Sequence, residues 1–346
     1  MNKLIFDINT FWLYAVILHI VGSVVFSMMG ILPLGNVLCL TIMWGVYIYI
    51  SEKSQKQKMV ALFGWIVSGV LLFLMPVSYR SSFFMNLLML LLVYYVCKQR
   101  NLNIIQYCAL KKIPFRQWGI LLLSSITFLI IAAYVNAISM LFVNNMTSAS
   151  LQDAGRYLPQ SIFVFAVLPA VTEEIMFRGY IFRGIAHKKT AIFLSAGMFA
   201  LLHMNFNQMS YAFVMGILFG VLVCVTNNLS MTIIVHLLFN FYNILFAAFP
   251  KNTIIVWIQN IHIAGYPVLA PSFYNQAGNF SGRLFFIGSI VVLATVLITF
   301  ILLTLLKEKK IKSKDVENGL PWKPNRIFWA GCFVCLLIAV SYEYMI

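Results

Sequence analysis

The chain has 346 residues, of which 62% are hydrophobic and only 10% charged, with 24 Lys and Arg against 9 Asp and Glu for a formal net charge of +15. A soluble domain is roughly 45–50% apolar and about 25% charged, so the composition excludes an ordinary globular enzyme and makes lipid the solvent for most of the chain. Five of the six cysteines (39, 97, 108, 224, 332 and 335) lie in apolar stretches, which argues against a disulfide framework or zinc ribbon.

A helix needs about 20 apolar residues to cross a bilayer. In chain order this predicts spans near 10–33, 34–50, 59–79, 81–97, 117–143, 161–177, 190–206, 209–226, 229–249, 283–306 and 327–345. The expected fold is therefore all-α, a polytopic transmembrane helical bundle of about eleven spans (ten to twelve), since those at 34–50, 161–177, 190–206 and 209–226 are short or interrupted. The first run begins at Phe11, exceeds twenty residues and has no small-residue cleavage site, so it reads as a retained helix rather than a signal peptide. The CxxC of Cys332 and Cys335 falls inside the last span, where packing is its expected role.

Lys and Arg in the loops set orientation. With the N-terminus inside, the inner segments carry twenty basic residues, including all those of "RGYIFRGIAHKK", and the outer ones hold only Arg80, Arg156, Lys251 and Arg283. The positive charge is thus a topology signal with some attraction to anionic lipid, and nucleic acid is not an expected partner. The N-terminus is expected in the cytoplasm. The outer segment 250–282 is long, and "TIIVWIQNIHIAG" within it is expected to lie along the interface. The sequons at Asn145 and Asn279 carry no weight in this reading.

Ionisable groups at membrane depth cost at least roughly 2.5–3.5 kcal/mol each on insertion scales, and so are functional candidates. Here they are Glu173, Glu174, His203, His236 and His19, with Asn240 and Asn243 as polar neighbours. His19 reads as a histidine bonded to a neighbouring helix. Residues four apart share a helix face, so Arg178 can reach back to Glu174, Phe199 lies with His203, and His236 with Asn240. Glu173, rotated about 100° from Glu174, has no such partner and is the freer carboxylate. Counting a rise of about 1.5 Å per residue allows one cluster in the inner half of the membrane. Gly216 and Gly220 form a GxxxG that predicts close helix packing, and Pro169 predicts a kink one turn before Glu173.

A carboxylate beside a histidine can take a proton from water, and a histidine with an asparagine can donate to a developing oxyanion. Together these would hydrolyse an amide, and no serine or cysteine occupies a matching position for covalent catalysis. The same histidines and carboxylate could instead hold a metal, zinc above all, although there is no HExxH helix. A non-catalytic membrane scaffold and a proton-coupled transporter using Glu173 are the competing readings. The absence of an internal repeat weighs against the transporter.

"EEIMFR", "FALLH" and "HLLFN" resemble, in order, the EExxxR, FxxxH and HxxxN motifs of the CPBP (CAAX protease and bacteriocin-processing, or Abi) family of intramembrane proteases, which includes the type II CAAX prenyl endopeptidases. The resemblance covers roughly residues 115–250 and implies a protease core there, with N-terminal helices of unknown role in 1–114 and an outer loop and further helices in 251–346. Carried over by position, Glu173 with His203 would activate water and His236 with Asn240 would stabilise the oxyanion. Glu174, Arg178 and Phe199 would support them. A metal, were one used, would sit on Glu173, His203 and His236. The family also implies a membrane-associated or lipidated peptide or protein substrate. For a chain of bacterial appearance it implies the cell membrane, a peptide-maturation or bacteriocin-immunity setting, and substrates that are not prenylated.

Overall fold

The computed structural model of the protein describes residues 7–29, 31–51, 54–143, 151, 153–263, 266–269, 271–274, 278–306 and 322–344. Asn145, Lys3, Lys53 and the basic run 307–314 lie outside them. The described residues form an all-α bundle: α1 Ile8–Met29, α2 Pro33–Ile50, α3 Gln55–Leu74, α4 Val77–Gln99, the single turn α5 Ile104–Tyr107, α6 Trp118–Ser139, α7 Leu158–Gly184, α8 Lys188–Leu202, α9 Phe206–Thr226, α10 Leu229–Ala248, α11 Thr253–Gln259, α12 Gly282–Leu306 and α13 Arg326–Tyr344. Each of the eleven expected spans has a helix. Eight of them are long and apolar enough to cross a membrane, α2 and α13 are shorter apolar helices, and α8 has 15 residues. The only strands among the described residues are a two-residue ribbon, His262–Ile263 against Tyr266–Pro267. The stretch expected at the interface begins with α11, which buries none of its residues and leaves Ile254 and Trp257 exposed.

Helix starts follow capping chemistry. Ser54, Asn205, Asn228 and Asn252 each accept a hydrogen bond from a backbone N–H of the first turn of α3, α9, α10 and α11. Proline opens α2, where its missing N–H would have no partner in any case.

The helices alternate in direction, so their ends gather on two faces. On the first, Leu229 N donates to Ala109 O (3.1 Å), Arg183 Nη2 to Asn227 Oδ1 (3.0 Å), and Trp322 Nε1 to Asn9 Oδ1 (3.1 Å). On the second, Asn207 Nδ2 donates to Asn136 Oδ1 (2.9 Å), Gln160 Nε2 to Leu74 O (3.2 Å), and Tyr134 OH to Phe285 O (3.2 Å).

α7 departs most from expectation. It runs to Gly184 rather than stopping near 177, and it alternates between α and π geometry: π over Phe163–Val167, α over Leu168–Glu174, π over Ile175–Ile181. Pro169 accounts for the first widening, because its ring removes one backbone donor and crowds the carbonyl four residues back. A π-bulge relieves that crowding without breaking the helix. The extension takes Arg178 out of the inner loop where charge counting placed it and buries it completely.

α1 and α4 pack against α7. Phe11 meets Tyr180 at 4.6 Å between ring centroids, Tyr79 meets Phe165 at 4.7 Å, Tyr79 OH pairs with Ser161 Oγ at 3.0 Å, and Arg100 Nη1 donates to Tyr180 OH at 3.2 Å. α13 is tied to the start of α1 through Trp322 and Asn9.

α8 and α9 touch along the glycine stripe. A Cβ on Gly216 would stand 2.8 Å from Ala196 Cα and 3.1 Å from Arg178 Nη2, and one on Gly220 would be 3.3 Å from Ile192 Cγ2. Gly216→Ala is therefore expected to cost roughly 1–3 kcal/mol, the range for overpacking. A lowered unfolding temperature in detergent checks it, and an unchanged one would contradict the packing.

α8 also sets the depth of the site. Its 15 residues rise about 22 Å, short of a hydrocarbon core of about 30 Å. The chain reverses over His203–Asn205 with Met204 in the left-handed region (φ 50°), a conformation that costs a non-glycine residue roughly 1–2 kcal/mol. His203 is thereby held at a helix end below the second face.

Candidate active site

Glu174 and Arg178 are both fully buried, with Arg178 Nη1 donating to Glu174 Oε1 at 2.9 Å. The guanidinium also donates through Nη2 to Gly216 O (3.1 Å) and lies over the rings of Phe199 (4.6 Å) and Phe219 (5.2 Å). Its position is fixed by a carboxylate, a backbone carbonyl and two π-faces together. The neutralised carboxylate read from the four-residue spacing is present as a buried, hydrogen-bonded pair.

His236 joins the two adjacent glutamates. Its Nδ1 lies 3.0 Å from Glu174 Oε1, and its Nε2 lies 3.7 Å from Glu173 Oε2. The imidazole stacks on Phe219 at 4.8 Å and 23° and meets Phe199 edge-on at 6.0 Å. Glu173 keeps a quarter of its side chain exposed, while Glu174 has none; the difference in freedom inferred from sequence is a difference in exposure.

His203 Nδ1 stands 2.8 Å from Phe199 O. A carbonyl only accepts, so Nδ1 carries the proton and Nε2 of the neutral ring is an acceptor. Phe199 packs perpendicular to His203 (4.9 Å, 89°) and to Phe177 (5.3 Å, 70°), so one ring buttresses both histidines and Arg178.

Glu173, His203, His236 and Asn240 all line one cavity of about 830 Å³. Its walls come from α6, α7, α8, α9 and α10, with Leu151, Leu269 and Pro271 from second-face loops. Among the described residues no serine, threonine or cysteine lines it. Polar groups that the sequence did not single out also reach it: Asn136, Gln208 and Tyr211. Asn136 is held by fully buried Asn207. Asn136 belongs to α6 and Gln208 and Tyr211 to α9, so only the packing of the two helices brings them to one cavity.

Residues 156–242 match the Rce1-like family model, described as type II CAAX prenyl endopeptidase Rce1-like. The Rce1-like segment, a quarter of the chain, contains Glu173, Glu174, Arg178, Phe199, His203, His236 and Asn240, and thus the whole of the cluster just described. No curated protein and no solved structure matches the chain. With its eight long apolar helices the protein is an integral, multi-pass membrane protein, and the Rce1-like match places its central segment in similarity to a family of endopeptidases.

The zinc that the sequence allowed on Glu173, His203 and His236 raises the question of whether these residues fit a metal. Glu174 Oε1 is already engaged by Arg178 and His236, and His236 presents its two nitrogens to two different carboxylates. Among the described residues no group of three or more His, Cys, Asp or Glu side chains is arranged to hold an ion. The donor set does not fit a resident metal as it stands, and no step is derived through one.

Proposed function

We propose that the protein is an intramembrane endopeptidase that hydrolyses a peptide bond of a membrane-associated peptide or protein with an activated water. The observation carrying this reading is one cavity whose wall holds Glu173, His203, His236 and Asn240 and, among the described residues, offers no hydroxyl or thiol from serine, threonine or cysteine. With no such nucleophile among the described lining residues, water is taken as the nucleophile and a carboxylate as its base.

Glu173, the exposed member of the pair, takes a proton from water, with the unprotonated Nε2 of His203 as the second acceptor orienting it. The hydroxide adds to the carbonyl carbon, and the oxygen that gains charge is met by donors from the wall, Asn240 Nδ2 and a protonated His236 Nε2. Such pre-placed donors are commonly the largest contribution to amide hydrolysis. The proton held by Glu173 then passes to the leaving nitrogen as the C–N bond breaks. Glu174 and Arg178 take no part in proton transfer; they hold His236 and the helix in place. The bacterial cell membrane and a peptide-maturation or immunity setting are the context that suits an unprenylated substrate.

The test compares peptides released by cells carrying wild-type protein with those from cells carrying Glu173→Ala at matched membrane levels, by mass spectrometry of medium and membranes. Peptides lost in the variant name substrates and cut sites. An identical peptide set would sink the reading in favour of a non-catalytic scaffold.

A further inference from the structure

We infer that the cavity opens on the non-cytoplasmic side of the membrane, so that the substrate is an apolar peptide segment reaching the enzyme from that side rather than a cytoplasmic lipidated tail. The inference deepens the endopeptidase reading and rests on it for the word substrate, but the sidedness of the cavity stands on separate observations.

The first observation is the distribution of charge over the two faces. The first face, defined by the contacts of residues 109 and 229, 183 and 227, and 9 and 322, carries Lys98, Arg100, Lys111, Lys112 and Arg116 between α4 and α6. It also carries Arg183 at the end of α7, Lys188 and Lys189 at the start of α8, Lys56 and Lys58 at the start of α3, and Lys323 and Arg326 at the entry to α13. The second face carries Arg80, Arg156, Lys251 and Arg283. Short loops rich in Lys and Arg stay in the cytoplasm, which puts the first face there. A separate cavity of about 490 Å³ on that face is walled by Lys111, Arg183 and Lys188, the surface a negatively charged inner leaflet favours.

The second observation is where the catalytic cavity is walled. Its loop residues, Leu151, Leu269 and Pro271, belong to the second face. So do its helix-end residues, Asn136 and Met140 at the end of α6, Gln208 at the start of α9 and Ala247 at the end of α10. Among the described residues none from a first-face loop lines it. The short reach of α8 explains the opening, because the helix stops at His203 and leaves the space above it to the cavity. Glu173 and His236 lie at the inner end of the cavity and the second face holds the mouth. The walls suit an apolar chain: Leu129, Met215 and Phe239 supply contact surface, Ala132 and Ala133 leave room for side chains, and Asn136 and Gln208 stand where backbone amides would pass.

The experiment reads sidedness directly. Ala137, half-buried in the cavity wall, and Lys112, exposed on the first face, are each replaced by cysteine in the full chain. Intact cells are then treated with a membrane-impermeant maleimide before and after permeabilisation, with the wild-type chain as background. Ala137→Cys should gain label in intact cells, and Lys112→Cys only after permeabilisation. The reverse pattern, or an Ala137→Cys that takes no label under either condition, overturns the inference. Labelling Ala137→Cys from outside should also abolish the peptide release that Glu173→Ala abolishes; release that continues unchanged overturns the substrate route. If Glu173→Ala alters no peptide, the endopeptidase reading fails while the labelling still decides the side.

Discussion

Glu173→Gln lowers the rate of peptide release by roughly 10²–10⁴-fold, the contribution of a general base, and leaves the unfolding temperature of the purified protein nearly unchanged. Glutamine keeps the shape and one acceptor oxygen of the side chain but cannot take a proton from water. The quarter exposure of Glu173 means that its negative charge has the cavity to face, so the fold does not depend on it. Glu174→Gln is expected to divide the two readouts the other way. Glu174 is fully buried, and its Oε1 serves both Arg178 and His236, so a neutral amide leaves the guanidinium without its counter-charge and lowers stability first. Rate measurements with a peptide identified from the cell comparison, paired with thermal unfolding in the same detergent, separate the two glutamates. Equal effects of both substitutions on both readouts would contradict the division of labour between them.

Arg178→Met is expected to destabilise the protein by about 3–5 kcal/mol, the cost of removing one partner of a buried ion pair. Glu174 would lose its counter-charge with no exposed surface, Gly216 O would lose its donor, and the rings of Phe199 and Phe219 would lose the cation between them. The double variant Glu174→Gln with Arg178→Met should recover part of the loss, because it removes the uncompensated charge and leaves only imperfect packing. Unfolding of the four proteins of this cycle in one detergent measures the coupling. A double variant no more stable than Arg178→Met alone would show that the arginine acts by packing rather than by charge.

The chain carried much of this on its surface. An apolar content of 62%, broken by runs of basic residues, required a bundle of membrane helices, because spans of about 20 apolar residues have few other stable forms in lipid. The four-residue spacing of Glu174 and Arg178 foretold their pairing, since spacing along one helix is local geometry. Gly216 and Gly220 foretold a close helix approach for the same reason, while the identity of α8 as the partner came only with the fold. The π segments of α7 were not legible, because propensities describe regular helices and the widening answers Pro169 in its packed setting. Which histidine stands beside Glu173 was equally hidden: spacing aligned His236 with Asn240 on α10 but said nothing about the angle at which α10 meets α7, and that angle brings Nε2 of His236 to 3.7 Å from the carboxylate. The mouth of the cavity depends on still longer-range facts, the short reach of α8 and the meeting of α6, α9 and α10 beyond it. Period and composition act within a helix, whereas contacts between helices belong to side chains far apart in sequence, and these become neighbours only when the whole bundle has packed.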